Sequence, residues 1–456
     1  MNVIICGAGQ VGFSIARYLS SEGNDVTVID QDPELIGKIN ESLDVQAMVG
    51  NASEPSMQAS ANAGEADMII AVTYADEVNM VACQVAHSLF NVPTKIARIR
   101  QQRFLDPLWA DLFSRDHMPI DAIISPEVEV ANAIARRLLV PGSFDMIQLA
   151  EDKVRVIGVR CTEDCPVVHT PLRQLTEIFP DLSVVVVGIV RDGESYIPTS
   201  RDQMLPGDDV YFVSDTNHVD RAMEIFGHEE AEAHKVVVVG GGHIGTNLAR
   251  TIGGLEGVSA KVIEMNKERA HKLAETLPET TVLQGDIFDE EILSESNIAS
   301  ADMIVTVTDD DETNVLGALL AKQYGVQQAI ALVNRDSYSS LVTKLGIDIL
   351  VNPRAITVSQ ILHHIRGRFR AVYSLWEGFG EIIEAEVLET SPLVGTTLKD
   401  HKLPRGVIVG SIVRDGEVLI PRGETDIRIK DRVILLASAG SVRQVEKLFA
   451  VSYEFI

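Results

Sequence analysis

The sequence is poor in cysteine, with four in 456 residues. Four cysteines are too few for a disulfide framework, which favours a reducing compartment. Cys161 and Cys165 form the only closely spaced pair. A metal or redox role for this pair is one interpretation, but no second ligand pair lies nearby at metal-binding spacing, so we expect an ordinary surface loop and no metal site.

Long apolar runs are also missing. The longest, such as Val184–Val187 and Val236–Val239, have the length of β-strands, whereas a helix that crosses a bilayer needs about 20 apolar residues. The N-terminus runs from Met1 to Cys6 without a basic segment and continues directly into glycines, so we expect no signal peptide. These absences predict a cytosolic protein without direct lipid insertion.

Positive charge is scarce as well. Lys and Arg total 39 against 66 Asp and Glu, which gives a formal net charge of −27. A field of this sign repels phosphate backbones and anionic lipid surfaces, so we expect no nucleic-acid partner. Any association with a membrane would have to go through a protein partner.

What the sequence does contain is an internal duplication with a displacement of 233 residues at the first motif. Four motifs recur in the same order, which chance does not plausibly produce. They are Gly7-Ala-Gly-Gln-Val-Gly12 with Gly240-Gly-Gly-His-Ile-Gly245, Ala66-Asp-Met-Ile69 with Ala301-Asp-Met-Ile304, Val72-Thr-x-x-Asp-Glu-x-Asn79 with Val307-Thr-x-x-Asp-Glu-x-Asn314, and Ile189-Val-Arg-Asp-Gly-Glu194 with Ile412-Val-Arg-Asp-Gly-Glu417. A period this long makes each copy a pair of whole domains.

Each copy opens with alternating strand and helix patterns, which predict an α/β fold with a doubly wound parallel sheet. In the first copy the predicted strands are Asn2–Cys6, Asp25–Ile29, Val45–Val49, Met68–Val72 and Lys95–Ile99. Ser125-Pro126 and Asn352-Pro353 predict the starts of linking helices that run to about Leu139 and Arg366. Short strands and Asp-Gly hairpin turns then predict a small α+β domain. The predicted domains are 1–124, 125–227, 232–350 and 351–456.

Both glycine motifs lie between an apolar strand and an amphipathic helix, the context of a dinucleotide-binding loop. The first glycine permits a tight turn, the second lets N–H groups approach a pyrophosphate, and the third lets the helix pack on the sheet. An acid after the second strand is expected to accept from ribose hydroxyls and to favour NAD over NADP. The predicted contacts are Gly7, Ala8, Gly9, Gln10, Val11, Gly12 and Asp30 in copy one, and Gly240, Gly241, Gly242, His243, Ile244, Gly245 and Glu264 in copy two. The alternative is a structural turn with vestigial glycines.

Further contacts are predicted at the carboxyl edge of the sheet, where ligands of open α/β sheets bind. Thr73, Tyr74, Thr308 and Asp309 follow the fourth strands, although they could instead cap the next helices. Arg98 and Arg100 are two apart on the predicted fifth strand, so both guanidiniums could bind phosphate from one face. Leu332 and Asn334 replace them in copy two. We therefore hypothesise that copy one binds the more highly charged nucleotide and that copy two binds a less charged one or none; the alternative is that the arginines form surface ion pairs.

No catalytic residue is predicted. A dehydrogenase needs a proton donor placed against the nicotinamide, and no His, Lys, Tyr or Cys is shared by the two small domains in matched positions. The sequence favours nucleotide sensing without chemistry. An NAD-dependent oxidoreductase with a duplicated cofactor domain remains one alternative, and a scaffold whose nucleotide is permanently bound and structural is a second.

Taken together, the ordered motifs resemble the RCK (KTN) family, whose modules regulate potassium channels and transporters. The resemblance covers nearly the whole chain, and two tandem modules in one chain resemble the regulators of Trk-type potassium uptake. It implies a cytoplasmic homotetrameric ring, peripheral at the inner face of the cell membrane, that docks on a membrane potassium-transport subunit. It also implies binding of NAD(H) and of ATP or ADP. The implied residues are Gly7 to Val11, Asp30, Thr73, Tyr74 and Arg98, and in copy two Gly240 to Ile244, Glu264, Thr308 and Asp309.

Overall fold

The computed structural model describes residues 1–179, 183–230, 232–335, 338, 342, 345–365, 369–375, 379–401 and 403–449. The chain divides into two compact units, Met1–Glu129 with Pro353–Ile365, and Val130–Asn352 with Arg366–Ile456. No helix within the described ranges combines the length and the apolar composition that a bilayer crossing requires.

The first unit contains a six-stranded parallel sheet. Its strands are β1 Asn2–Cys6, β2 Asp25–Asp30, β3 Gln46–Val49, β4 Met68–Ala71, β5 Thr94–Arg98 and β6 Ala122–Ile124. Its helices are α1 Gln10–Ser21, α2 Pro33–Ser42, α3 Pro55–Ser60 and α4 Asp76–Phe90, while α5, Pro126–Arg137, follows β6. The strand order β3-β2-β1-β4-β5-β6 reverses between β1 and β4, so the carboxyl ends of these two strands face the crevice in which such sheets bind ligands.

Periodic apolar residues fix the helices of this unit to the sheet. Ile15 and Leu19 of α1 are fully buried in a cluster with strand residues such as Ile5. A helix from the second copy, Pro353–Ile365 and numbered α12 in chain order, packs beside α1 and places Ile361 in the same cluster. The core of the first nucleotide domain is therefore completed by a helix that begins 346 positions after Gly7.

The second unit contains the matching parallel sheet. Its strands are β12 Lys235–Val239, β13 Ser259–Glu264, β14 Thr281–Gln284, β15 Met303–Thr306, β16 Gln328–Leu332 and β17 Ile349–Val351. Its helices are α8 His243–Gly253, α9 Lys267–Thr276, α10 Glu290–Glu295 and α11 Asp311–Gln323. The strand order β14-β13-β12-β15-β16-β17 repeats that of the first sheet, which confirms the predicted pair of doubly wound domains.

Two antiparallel five-stranded sheets also belong to the second unit. One has the order β10-β9-β11-β8-β7, made of β7 Ser143–Leu149, β8 Val154–Arg160, β9 Val184–Arg191, β10 Glu194–Tyr196 and β11 Asp209–Asp215, with α6 Leu172–Ile178 and α7 Val219–Ile225. The other has the order β18-β19-β22-β20-β21, made of β18 Ala371–Ser374, β19 Gly380–Glu386, β20 Val407–Arg414, β21 Glu417–Leu419 and β22 Arg432–Ser438, with α13 Val442–Leu448. The sheets share one core, in which Val187 and Tyr211 pack with Ile382 and Leu436. A Cβ on Gly188 would lie 2.4 Å from Phe379, so glycine permits this close approach.

Most of the predicted elements are confirmed, with bounds that shift by one residue. Both Asp-Gly hairpins are present, and positive φ at both central residues (53° and 82° at Asp192 and Gly193, 51° and 88° at Asp415 and Gly416) matches a type I′ turn. Helix α5 ends at Arg137, two residues before the predicted end. The predicted end of the second linking helix, Arg366, lies outside the described residues, and the four domain boundaries stay predictions.

Two expectations were wrong. Arg100 does not lie on the fifth strand, because β5 ends at Arg98 and the Arg100 N–H donates to Asp76 instead of to a neighbouring strand. Cys161 and Cys165 do not lie in a surface loop, since they are only 1% and 2% exposed and belong to the core of the first small domain. Within the described residues no group of three or more His, Cys, Asp or Glu side chains could hold a metal ion.

Candidate functional site

The first glycine loop joins β1 to α1 at the carboxyl edge of the sheet. Gly7 adopts a φ of +113°, which only glycine adopts easily, and a Cβ on Gly12 would lie 1.9 Å from the Gly7 carbonyl oxygen. The turn and the close helix packing predicted for these two glycines are therefore in place. A Cβ on Gly9 would meet nothing within 4 Å, so the space above the loop is open on the side predicted for a pyrophosphate.

Helix α1 begins at this loop with Gln10 and Val11 as its first residues, and Gly9 in the N-cap position provides no side-chain acceptor. The first N–H groups of a helix need acceptors, and the helix dipole favours an anion there. Both properties suit the phosphate position predicted for Gly9, Gln10 and Val11.

Asp30, at the end of β2, holds the loop through its carboxylate. Its Oδ2 accepts from the Ala8 N–H at 2.6 Å, and its Oδ1 accepts from the Asp32 N–H at 2.9 Å. A carboxylate offers about four acceptor positions, so capacity remains for the ribose hydroxyls that the sequence predicts as its ligands. Asp30 thus positions the loop as well as facing the candidate site.

A buried asparagine organises the next part of the sheet edge. Asn79, fully buried in α4, accepts from the Thr73 N–H and hydroxyl at 2.8 and 2.7 Å and donates to the Arg98 carbonyl oxygen at 2.9 Å. Asp76 accepts from the backbone N–H groups of Arg100 and Gln101. The ends of β4 and β5 are therefore held together by α4. Asn79 and Asp76 were not predicted as site residues, although their recurrence in both copies was a usable signal.

The alternative that Thr73 and Tyr74 cap helix α4 is wrong, because Ala75 occupies the N-cap position. The Thr73 hydroxyl instead donates to the side chain of Asn79, which lies in the second turn of α4. Tyr74 is instead 86% exposed, and the Arg100 guanidinium lies 5.2 Å from the centre of its ring. An exposed aromatic ring under a cation at a sheet edge is suited to stack a base or to orient the cation.

Arg98 and Arg100 converge on one carboxylate. Glu127, in the first turn of α5, lies 2.9 Å from Arg100 Nε and 3.9 Å from Arg98 Nη2, measured from its Oε1. Glu127 is 6% exposed, and burial lowers the pKa of the Arg98 guanidinium while Glu127 opposes that change. The arginines thus do form ion pairs, as the alternative held, but these ion pairs are half-buried at the candidate site.

Two polar atoms of this cluster are left over. Arg98 Nε and Glu127 Oε2 are both buried, and neither has a hydrogen-bond partner among the described residues. Buried polar atoms of native proteins nearly always have partners, so the unpaired Arg98 donor is compatible with a role in binding a ligand. Two guanidiniums at the carboxyl edge of the sheet suit the phosphate-binding role that the sequence predicts for them.

The second copy repeats the frame of the first, by which we mean the glycine turn, the carboxylate that accepts from the loop N–H, and the buried asparagine that connects the fourth strand to the fifth. Gly240 has a φ of +103°, and a Cβ on Gly245 would lie 1.9 Å from the Gly240 carbonyl oxygen. Glu264, buried at the end of β13, accepts from the Gly241 N–H at 2.7 Å. Helix α8 begins with His243 and Ile244, as α1 begins with Gln10 and Val11, and Gly242 again leaves open space above the loop.

The same asparagine bridge is present as well. Asn314, fully buried, accepts from the N–H and hydroxyl of Thr308 at 2.8 Å each and donates to the Leu332 carbonyl oxygen at 3.0 Å. Asp311 accepts from the backbone N–H groups of Asn334 and Arg335. Because Asn79 bonds to Arg98 and Asn314 to Leu332, these contacts establish Arg98 and Leu332, and likewise Arg100 and Asn334, as equivalent positions.

The side chains around this second frame carry a different charge. Asp309 and Asp310, both exposed, occupy the positions of Tyr74 and Ala75, and Asp310 caps α11 by accepting from the Thr313 N–H. The alternative that Thr308 or Asp309 caps α11 is therefore wrong. Arg335, one step beyond Asn334, pairs with exposed Glu312 at 3.1 Å. The second sheet edge is thus more acidic and has no counterpart of the arginine pair.

Comparison with known proteins shows which family has this architecture. The family model described as TrkA-N domain matches residues 3–126 and 236–353, and the one described as TrkA-C domain matches residues 156–227 and 382–450. The Trk system potassium uptake protein TrkA of Azorhizobium caulinodans is 50% identical over 457 residues, covering 100% of both chains.

The chain belongs to the TrkA family. Solved structures agree with this at the level of the fold: the GsuK RCK domain matches with a TM-score of 0.61 at 17% identity, covering 99% of this chain and 95% of that chain. The GsuK channel bound to NAD matches with a TM-score of 0.62 at 16% identity, covering 99% and 79%. The TrkA relative is named for potassium uptake and not for an enzymatic reaction, which argues against the oxidoreductase alternative.

Proposed function

We propose that the chain is a nucleotide-sensing regulatory subunit that gates a membrane potassium uptake protein of the Trk type. The full-length similarity to a protein named for Trk potassium uptake supports the partner. The resemblance of the sequence motifs to RCK modules implies a ring, for which we propose a homotetramer. In this proposal the chain lies on the cytoplasmic face of the membrane and is held there by its protein partner.

The two nucleotide domains have different ligands in this proposal. The first binds ATP and ADP through Gly7 to Gly12, Asp30, Thr73, Tyr74, Arg98 and Arg100. The second binds the less charged NAD(H) through Gly240 to Gly245, Glu264, Thr308 and Asp309. The exposed carboxylates of the second sheet edge and the buried Leu332 in place of Arg98 support this division, because they disfavour a ligand with several negative charges.

The observation that carries the proposal is the sharing of Glu127 by Arg98 and Arg100. Glu127 belongs to linking helix α5, so the arginine pair ties the nucleotide site to that helix. In the presence of ATP the two guanidiniums are expected to bind its outer phosphates, and Glu127 then loses its partners. Helix α5 is expected to shift as a result. A ligand moves such an equilibrium only by its differential affinity for the two states, and ATP and ADP differ by the phosphate that the pair would bind.

The test is a calorimetric titration of the full chain, freed of bound nucleotide, with ATP, ADP, NAD⁺ and NADH, combined with small-angle scattering to report the shape of the assembly. We expect exchangeable binding, with ATP and ADP giving different scattering profiles. Arg100→Ala should abolish that difference, whereas Arg335→Ala, which removes an exposed arginine next to Asn334 in the second copy, should preserve it.

Two results would count against the proposal. If no adenine nucleotide bound to the full chain, sensing by the first domain would be wrong. If ATP and ADP still reshaped the Arg100→Ala assembly as they reshape the unsubstituted one, the role of the arginine pair would be wrong.

A further inference from the structure

Arg354, an arginine of the second copy, reaches the nucleotide loop of the first. It lies in the first turn of α12, and its Nη2 donates to the Gln10 side-chain oxygen at 2.9 Å. Gln10 is the first residue of α1, the helix whose N-terminal N–H groups face the predicted phosphate position. A guanidinium is therefore held at the end of the helix where the ligand's negative charge is expected.

The packing of α12 fixes this placement. Ile361 is fully buried in the same cluster as Ile15 and Leu19 of α1, and Gln360 donates to Glu129 at 2.9 Å. Arg354 is itself half-buried, so the side chain approaches the loop along the surface of the unit rather than extending freely into solvent. Its position follows from burial of the apolar face of α12, which is independent of any ligand.

The duplication makes this arginine the equivalent of a residue at the first site. Ser125-Pro126-Glu127 and Asn352-Pro353-Arg354 are equivalent triplets at the starts of the two linking helices. Copy two thus has an arginine where copy one has the glutamate that pairs with Arg98 and Arg100. Copy two also carries Leu332 and Asn334 where copy one carries Arg98 and Arg100. Arg98, Arg100 and Arg354 all belong to the unit that contains the first glycine loop.

We propose that Arg354 is a phosphate-binding residue of the first nucleotide site, supplied by the second copy of the module. This inference rests on the proposed function, since it names a further ligand contact of that site. Arg354 already donates to the neutral Gln10 amide at this position, and a guanidinium forms a stronger, charge-assisted bond with a phosphate oxygen than with a neutral amide. Because Arg354 lies on α12, a nucleotide with two or three phosphates bound to copy one also contacts the linking helix of copy two.

The test is a calorimetric titration of the full chain carrying Arg354→Gln, with ATP and with adenosine as ligands. The ATP affinity is expected to fall at least about tenfold, and the adenosine affinity to stay unchanged, because only ATP has the charge that Arg354 binds. Arg354→Lys, which keeps the charge, is expected to recover part of the ATP affinity. The matched control is Arg17→Gln, which removes an exposed arginine from α1 itself.

Several outcomes would overturn the inference and separate it from the proposed function. Equal affinity for ATP in Arg354→Gln and the unsubstituted chain would remove Arg354 from the site and leave nucleotide sensing standing. Equal losses for ATP and adenosine would show that the arginine only supports the fold. Failure of the unsubstituted chain to bind any adenine nucleotide would refute both.

Discussion

The two nucleotide domains share a frame and differ in the side chains that face the ligand. Both have a glycine turn with positive φ, a carboxylate that accepts from the loop N–H, and a buried asparagine that ties the fourth strand to the fifth. On this frame the first domain carries Arg98 and Arg100 next to Glu127. The second carries Leu332 and Asn334 at the same positions.

This difference shows which positions of a duplicated site can be substituted without loss of the fold. The glycines permit a positive φ and a close approach of helix to loop, and the asparagines satisfy buried backbone groups, so replacing either kind of residue costs stability in both copies. The arginines satisfy no backbone group with their side chains, so one copy could lose them and keep its fold. Residues of the frame are therefore needed for the fold, and residues that differ between the copies are the ones expected to determine which ligand binds.

The sharpest way to break the comparison is to convert the edge of copy one into that of copy two with Arg98→Leu and Arg100→Asn together. Each charge-assisted bond to a phosphate contributes about 1.5–3 kcal/mol, so the double variant should bind ATP at least about 100-fold more weakly by calorimetry. NAD⁺ binding to the second domain should not change. Arg335→Asn in copy two serves as the control, and ATP affinity that survives the double change would mean that the pair does not bind phosphate.

A smaller effect, on stability, tests the shared frame. Asn79→Ala and Asn314→Ala each leave several buried backbone groups without partners, at a cost of about 2–3 kcal/mol. Scanning calorimetry should show a lower melting temperature for both variants, by similar amounts, with or without nucleotide.

Asn79→Asp is the control for this pair. It keeps the acceptor for Thr73 but sets a buried carboxylate oxygen against the Arg98 carbonyl oxygen, so a loss at least as large as that of Asn79→Ala is expected. A variant of one copy that melts normally while its counterpart melts early would show that the two frames are not equivalent.

The frame was largely predictable from the sequence, because it depends on local rules. The glycine spacing, the strand–helix alternation and the Asp-Gly turns each specify a backbone conformation within a few residues. Even so, Arg100 was misplaced on β5, since the sequence pattern does not show that Asp76 withdraws the Arg100 N–H from the sheet. Cys161 and Cys165 were misplaced on the surface because their burial depends on β-sheet packing far along the chain.

The group formed by Arg98, Arg100, Glu127 and Arg354 was only partly predictable from the sequence. Arg98 and Arg100 were identified as candidates by their spacing and by their absence from copy two. Glu127 and Arg354 were not, because each reaches the site from a linking helix. Comparison of Ser125-Pro126-Glu127 with Asn352-Pro353-Arg354 contained a usable signal, a reversal of charge at matched positions.

The smallest predicted effect concerns Glu127, the residue that balances the arginine pair. Glu127→Gln removes the carboxylate that competes with phosphate for both guanidiniums, so ATP should bind about two- to fivefold more tightly by calorimetry. The exposed acid Glu77, in the first turn of α4, provides the control, because Glu77→Gln removes the same charge from the same edge. An equal gain in ATP affinity in both variants would mean that the effect comes only from the change in net charge. A loss of affinity in Glu127→Gln alone would mean that Glu127 holds the arginines in place for the nucleotide, so that the carboxylate and the phosphate bind the pair together.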